Sequence, residues 1–176
     1  MLIHRPSDYF EVIYPIYQAA FPPAERRTRE GQRAVLEHPS YRMRVIQEDG
    51  QVYAFIGYWE LQSCIFLEHL ATVEHSRGRG YGRKLMEECI QEGREKGKPL
   101  FLEIEPVTQE DPMTGRREAL YHRCGFFTND FYYEQMPLKE GDEPIPLWVM
   151  SWPKAMDEEE FFPYKKEIYQ VVYGIK

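Results

Sequence analysis

The feature that most restricts the fold is a run of residues from 64 to 96. Residues 64–73, CIFLEHLATV, are mostly apolar and read as a central strand. Soon after comes the turn Arg77-Gly78-Arg79-Gly80-Tyr81-Gly82, and residues 82–96 then carry Leu85, Met86, Cys89 and Ile90 at helical spacing. On this pattern the charges of that helix face away and Gly97 ends it. A strand, a glycine-rich turn and an amphipathic helix in this order form a ready site for an anion. Glycines let backbone N–H groups approach a ligand closely, and the first turn of the helix adds free N–H groups and the positive end of its dipole. Arg77, Arg79, Arg83 and Lys84 reverse the sign locally in a chain of net charge −7. The turn suits a phosphate or pyrophosphate. It is not a Walker A loop, because Gly82-Arg83-Lys84-Leu85 lacks the closing Gly-Lys-Ser/Thr. It is not a dinucleotide fingerprint either, because Arg83 stands where a third glycine is required. The plainer alternative is a glycine-rich turn whose arginines serve solubility.

Around this unit the pattern alternates. Residues 7–20 place Phe10, Ile13, Tyr14 and Tyr17 at helical spacing, with Ser7 as N-cap and Pro15 as a kink, and Phe21-Pro22-Pro23 stops the helix. A second helix spans 28–38 after Thr28. Residues 41–47 and 51–61 are rich in aromatic and β-branched side chains around Asp49-Gly50, a strong hairpin signal. A strand is expected over 99–107, a loop over 108–115 and a short helix over 116–124, closed by Gly125. Strands follow at 126–137 and 146–152, then a tail whose acidic start (Asp157 to Glu160) suits a helix N-terminus. The whole of 1–176 therefore reads as a single domain of mixed α/β (α+β) class.

Composition narrows the function. A net charge of −7 argues against a nucleic-acid binder and fits a cytoplasmic protein or one with a cationic partner. Cys64, Cys89 and Cys124 form no CxxC pair, so neither a disulfide frame nor a metal site is expected. No apolar run reaches membrane-spanning length, and MLIHRPSDYF is too interrupted by charge to be a signal peptide.

A second motif lies downstream, Leu120-Tyr121-His122-Arg123-Cys124-Gly125-Phe126. With the Arg-x-x-Gly-x-Gly turn and the preceding Leu-Ala-Thr-Val, the chain resembles the GNAT-type N-acetyltransferase superfamily over about residues 41–137. That resemblance implies a mostly antiparallel mixed sheet flanked by helices, with acyl-CoA in a cleft between two splayed parallel strands. It implies an acetyl-CoA-dependent transfer to a primary amine, with direct attack in a ternary complex. The cofactor-binding residues it points to are Leu70, Ala71 and Thr72 along the strand and Arg77, Gly78, Arg79, Gly80, Tyr81, Gly82 and Arg83 in the turn. No metal is implied, and the oligomeric state is monomer or homodimer. One departure is Thr114, which stands about where the family often supplies an asparagine. Arg116 and Arg117 suit either CoA phosphates or a solvated helix face.

Amine acetylation needs a base, an acid and an oxyanion donor. Glu68 is the expected base, as a carboxylate in an otherwise apolar strand, which is a costly position unless it is used or paired. Alternation puts Glu68 on one face with Leu70 and Thr72, and His69, the reserve base, on the other. Tyr121 is the acid by resemblance. Glu103 and Glu105 share a face with Phe101 and could hold a cationic amine; Arg26 or Arg27 could instead hold a carboxylate-bearing acceptor. The competing reading is a non-catalytic acyl-CoA sensor or interaction module on the same fold.

Overall fold

A computed structural model describes residues 1–176. The chain starts with a short strand, β1 (Leu2–Ile3), and a 3-10 turn over Pro6–Tyr9. Helix α1 (Phe10–Ala20) therefore begins three residues after Ser7, which caps nothing, and Pro15 lies inside it without ending it. Its missing N–H costs one intrahelical bond, and the apolar face of Phe10, Ile13, Tyr14 and Tyr17 is buried regardless. Helix α2 (Arg29–Val35) is capped by Thr28, whose hydroxyl accepts from the Gly31 N–H at 3.1 Å. Strands β2 (Tyr41–Glu48) and β3 (Gln51–Glu60) form the expected hairpin, with Asp49 and Gly50 both in the left-handed region. Next come β4 (Ile65–Thr72), α3 (Tyr81–Lys96) and β5 (Leu100–Ile104).

The later half departs more from the sequence pattern. Helix α4 (Pro112–Arg123) starts inside the expected loop, because the Asp111 side chain accepts from the Met113 N–H at 3.0 Å and Pro112 fits the first turn. The strand expected over 126–137 divides into β6 (Phe127–Thr128) and β7 (Tyr133–Gln135). Asn129 divides it. Its amide donates to the Val149 carbonyl and to Ser151 Oγ, and accepts from the Met156 N–H, all in a buried position. Strand β8 (Ile145–Trp152) and helix α5 (Glu158–Val171) complete the chain, with a capping box between Asp157 and Glu160.

The strand order is β1-β2-β3-β4-β5-β8-β6, with β7 on β8. Every pairing is antiparallel except β4 with β5. The fold is the mixed, mostly antiparallel sheet with flanking helices that the sequence implied. One face packs against α1 and α5 around Phe10, Tyr17, Phe101, Phe161 and Ile168. The other packs against α3 through Leu85, Met86, Cys89 and Ile90. One charge of α3 does not face away. Glu92 is buried and accepts from the Tyr58 hydroxyl (2.7 Å) and from Arg44 (2.8 Å). No helix is long and apolar enough to cross a membrane.

The register of β3 on β4 shifts once. Gly57 faces His69 and Tyr58 faces Leu67, leaving Glu68 as an extra residue on β4. A Cβ on Gly57 would fall 1.8 Å from the buried Tyr41 hydroxyl. Gly57→Ala should therefore cost about 1–3 kcal/mol through overpacking, read as a lowered midpoint in urea unfolding.

Candidate active site

The parallel pairing of β4 with β5 holds at three positions, Ile65 with Leu100, Phe66 with Phe101 and Leu67 with Leu102, and then stops. The stop coincides with the extra residue Glu68. A bulge bends its strand and disrupts the ladder, so the two strands part there. Residues 67–72 of β4, 102–104 of β5 and Glu105 just beyond it then line a cleft of about 790 Å3 that runs between the two faces of the sheet.

On the α3 face the cleft meets the glycine-rich turn. Arg77, Gly78 and Gly82 line it, together with Leu70, Ala71 and Thr72 of β4. Gly78 (φ 81°) and Gly80 (φ 78°) both adopt left-handed backbone, where a side chain would be strained. Gly80 is the N-cap of α3, so the first N–H groups of a 16-residue helix open beside the cleft. Helix α4 contributes Arg116, Arg117 and Arg123 to the lining; all three are also exposed, so Arg116 and Arg117 lie both on a solvated helix face and at the cleft. Arg79, Gly80, Tyr81 and Arg83 do not line it. The Tyr81 hydroxyl donates to Glu48 (3.2 Å) and Arg83 pairs with Glu87 (2.8 Å) on the surface. Thr114 is buried and spends its hydroxyl on the start of α4, donating to the Asp111 carbonyl at 2.7 Å. Free N–H groups, two glycines with no side chain to obstruct them and four arginines fit a phosphate-rich acyl donor.

On the α1 face the bulge changes the expected alternation. Glu68 and His69 point to the same side, against α1 and α2, while Leu70 packs on the α3 side. The extra residue in β4 is the reason: the period of two breaks at Glu68. The Glu68 carboxylate meets Arg27 at 2.5 Å, accepts from the Trp59 indole at 3.0 Å and lies 3.5 Å from His69 Nδ1. Burial alone would raise its pKa, but the Arg27 guanidinium, followed by the His69 ring, holds it well below the ordinary carboxylate range. So low a pKa makes Glu68 a weak base, and Arg27 occupies the oxygen that base chemistry would use. His69 is also engaged. Its Nε2 lies 3.2 Å from the Glu25 carbonyl, where it must donate, and Tyr17 and Phe21 pack edge-on against its ring.

Three other carboxyl groups line this side: Glu25, Glu103 and Glu105. Glu103 accepts from the Tyr133 hydroxyl at 3.1 Å and from the Tyr173 hydroxyl, both on Oε1, while its buried Oε2 has no partner. Burial pushes its pKa up to about 8, against the lowering effect of the two phenols. Glu25 rises to about 7 through burial and the Glu105 carboxyl beside it. Glu105 itself pairs with Arg117 at 3.4 Å. Tyr121 lines the cleft from α4, and burial pushes its phenol up to about 12. Arg26 does not line the cleft, and its backbone carbonyl accepts from Lys139. Four residues escaped the sequence reading: Glu25, Arg27 as partner of Glu68, Gln135 and Tyr173. The sequence offers Arg26 or Arg27 to an acceptor, but nothing in a loop sequence says which side chain turns inward.

The description "Acetyltransferase (GNAT) family" matches residues 9–126, about two thirds of the chain. The chain belongs to this family. Acetyl transfer is therefore its class of reaction. It is 28% identical over 158 residues to YjbC of Bacillus subtilis (strain 168), an acetyltransferase by name, covering 89% of this chain and 78% of that one. A solved GNAT-family structure from Bacteroides thetaiotaomicron superposes with a TM-score of 0.79 at 27% identity, over 96% of this chain and 94% of that one. YncA of Salmonella typhimurium, solved with acetyl-CoA, shares the fold at TM-score 0.61 and 21% identity, over 86% and 91% of the two chains.

The buried pair gives a stability prediction. Arg27→Met leaves an uncompensated buried carboxylate and should cost about 3–5 kcal/mol, whereas Arg27→Met with Glu68→Leu should recover most of it. The depressed pKa of Glu68 sets the pH sense. Its contribution is complete above the unfolded carboxyl value of about 4.3 and is lost as pH falls below it. Urea midpoints of the three proteins between pH 3 and 7 check both statements, and the double variant should lose the pH dependence that Glu68 supplies.

Proposed function

We propose that the chain is an N-acetyltransferase that moves an acetyl group from acetyl-CoA to a primary amine, with both substrates bound together. One observation carries the reading: the cleft joins backbone N–H groups and arginines suited to phosphates on the α3 face to carboxyl groups, among them Glu25 and Glu103 with no salt-bridge partner, on the α1 face, where β4 and β5 part. The acetyl-CoA in the Salmonella relative supports the choice of donor. When bound, acetyl-CoA supplies an activated acetyl thioester, whose C–S bond is exchanged for a new C–N bond to the acceptor.

Arg77, the Gly78 backbone, the first turn of α3, and Arg116 and Arg123 of α4 would hold the donor's phosphates. Beyond Leu67, the edge of β4 no longer pairs with β5, so its N–H and C=O groups are free for the amide-bearing arm and for the thioester oxygen. An acceptor ammonium has a pKa near ~10 and must lose a proton before it can attack. We assign that proton to Glu103 rather than Glu68. Two phenols hold Glu103 Oε1 in place, Oε2 is unpartnered, and a pKa of about 8 makes it a far better base near neutrality. Glu68 becomes a positioning residue that ties the bulge to Arg27. Tyr121 stays protonated throughout the working range and can give its proton to the leaving sulfur, then regain one from solvent.

Calorimetric titration with acetyl-CoA tests the donor, and no binding below millimolar concentration would overturn the reading. Glu103→Gln should lower kcat by about 10²–10⁴ without abolishing acetyl-CoA binding. In the unaltered enzyme kcat/KM should rise with pH through about 8, as Glu103 gives up its proton, and then level off. That rise should vanish in Glu103→Gln. Tyr121→Phe should lower kcat while acetyl-CoA still binds.

A further inference from the structure

The acceptor side of the cleft carries more negative groups than one amine requires. Four carboxyl groups line it there: Glu25, Glu68, Glu103 and Glu105. Arg27 pairs with Glu68 and Arg117 with Glu105. Lys139, which reaches the same loop, pairs with Asp142 at 2.8 Å. Glu25 and Glu103 form no salt bridge, although both are largely withdrawn from water, and Arg117, which acts on Glu25 through its charge, is itself paired with Glu105. Burial holds both carboxyls toward their neutral forms, and a cation entering the cleft would draw each toward its carboxylate, so the site can take up two positive charges from outside the protein. The side chains do not form a group of the kind that holds a metal ion.

A second, independent observation lies in the same wall. Gln135 is only 7% exposed, lines the cleft, and its Nε2 has no hydrogen-bond partner. It sits on β7, two residues after Tyr133, which holds Glu103. A buried amide without a partner is a site that a polar ligand completes, and a half-turn of the amide offers an ammonium its oxygen. The cleft also carries apolar lining, Phe21, Leu138 and Leu147 among it. Carboxylates spaced by apolar surface match methylenes spaced by ammonium groups.

We infer that the acceptor is an aliphatic dication: one amine reacts at Glu103, and a second ammonium is held by Glu25 with the Gln135 amide. This rests on the acyltransferase reading above and adds the class of acceptor. Binding would also relieve the repulsion that Glu25 and Glu105 exert on each other.

The test compares acetyl-CoA turnover at fixed pH with 1,4-diaminobutane and with its near-isosteres 4-amino-1-butanol and n-pentylamine, alongside calorimetric binding of acetyl-CoA. The expected result is a kcat/KM at least about tenfold higher for the diamine, expressed mainly in KM. Glu25→Gln should collapse that gap by raising the diamine KM, while Glu37→Gln, on an exposed residue outside the cleft, keeps it. Equal kcat/KM for the three amines overturns the inference, as does a Glu25→Gln enzyme that keeps the gap. Acetyl-CoA binding without turnover of any of these amines overturns it while the donor reading stands. Failure of acetyl-CoA to bind removes the acyltransferase reading, and the inference with it.

Discussion

The ion pair between Arg27 and Glu68 is the contact on which the rest of the site depends. Glu68 is an extra residue in β4, and an extra residue has no ladder partner. Its carboxylate can be buried there because Arg27, arriving from the loop between α1 and α2, neutralises it at 2.5 Å and Trp59 donates to its other oxygen. The pair thus fastens that loop to the middle of the sheet, at the point where β4 and β5 separate. It also sets where Glu25 sits, two residues before Arg27, with its carbonyl against His69. An interaction that would be worth little on the surface fixes the geometry here because it is dry: breaking it strands a charge.

From that point the two faces of the cleft take up different chemistry. The α3 face offers backbone donors and guanidinium groups, and the α1 face offers carboxyl groups with raised pKa values. Both come from the same cause. Where the sheet opens, each strand exposes an edge and one side chain in two to a shared, partly enclosed space, and what fills it is set by the elements that close over each face. The glycine-rich turn before α3 and helix α4 close one side with arginines. The loop before α2, strand β7 and the end of the chain beyond α5 close the other with Glu25, Gln135 and Tyr173.

The sequence was most informative where chemistry is local. The Asp49-Gly50 hairpin, the Thr28 cap and the amphipathic stripe of α3 each depend on residues within a turn or two of one another, and each formed as the pattern implied. The start of α4 was misplaced because the cap Asp111 lies in a run that reads as loop. The break in the strand expected over 126–137 is invisible in sequence because Asn129 makes it through contacts with residues 20 to 27 positions away. Alternation along β4 failed for a related reason: a bulge is a property of the pairing, and no single strand records it.

The sequence by itself determined the glycine-rich turn, its cluster of arginines, the order of elements and membership of a family of acetyl transferases, because backbone conformation and local charge are written in consecutive residues. Only the tertiary structure decided which carboxyl groups meet in the cleft and in what protonation state. Glu25, Glu68 and Glu103 come from a loop and two strands, and their pKa values diverge through burial and through partners distant in sequence: Arg27 is 41 residues from Glu68, and Tyr173 is 70 from Glu103. A carboxylate in a sequence is only an acid; its solvation and its neighbours in space make it a fixed charge, a base or a binding group.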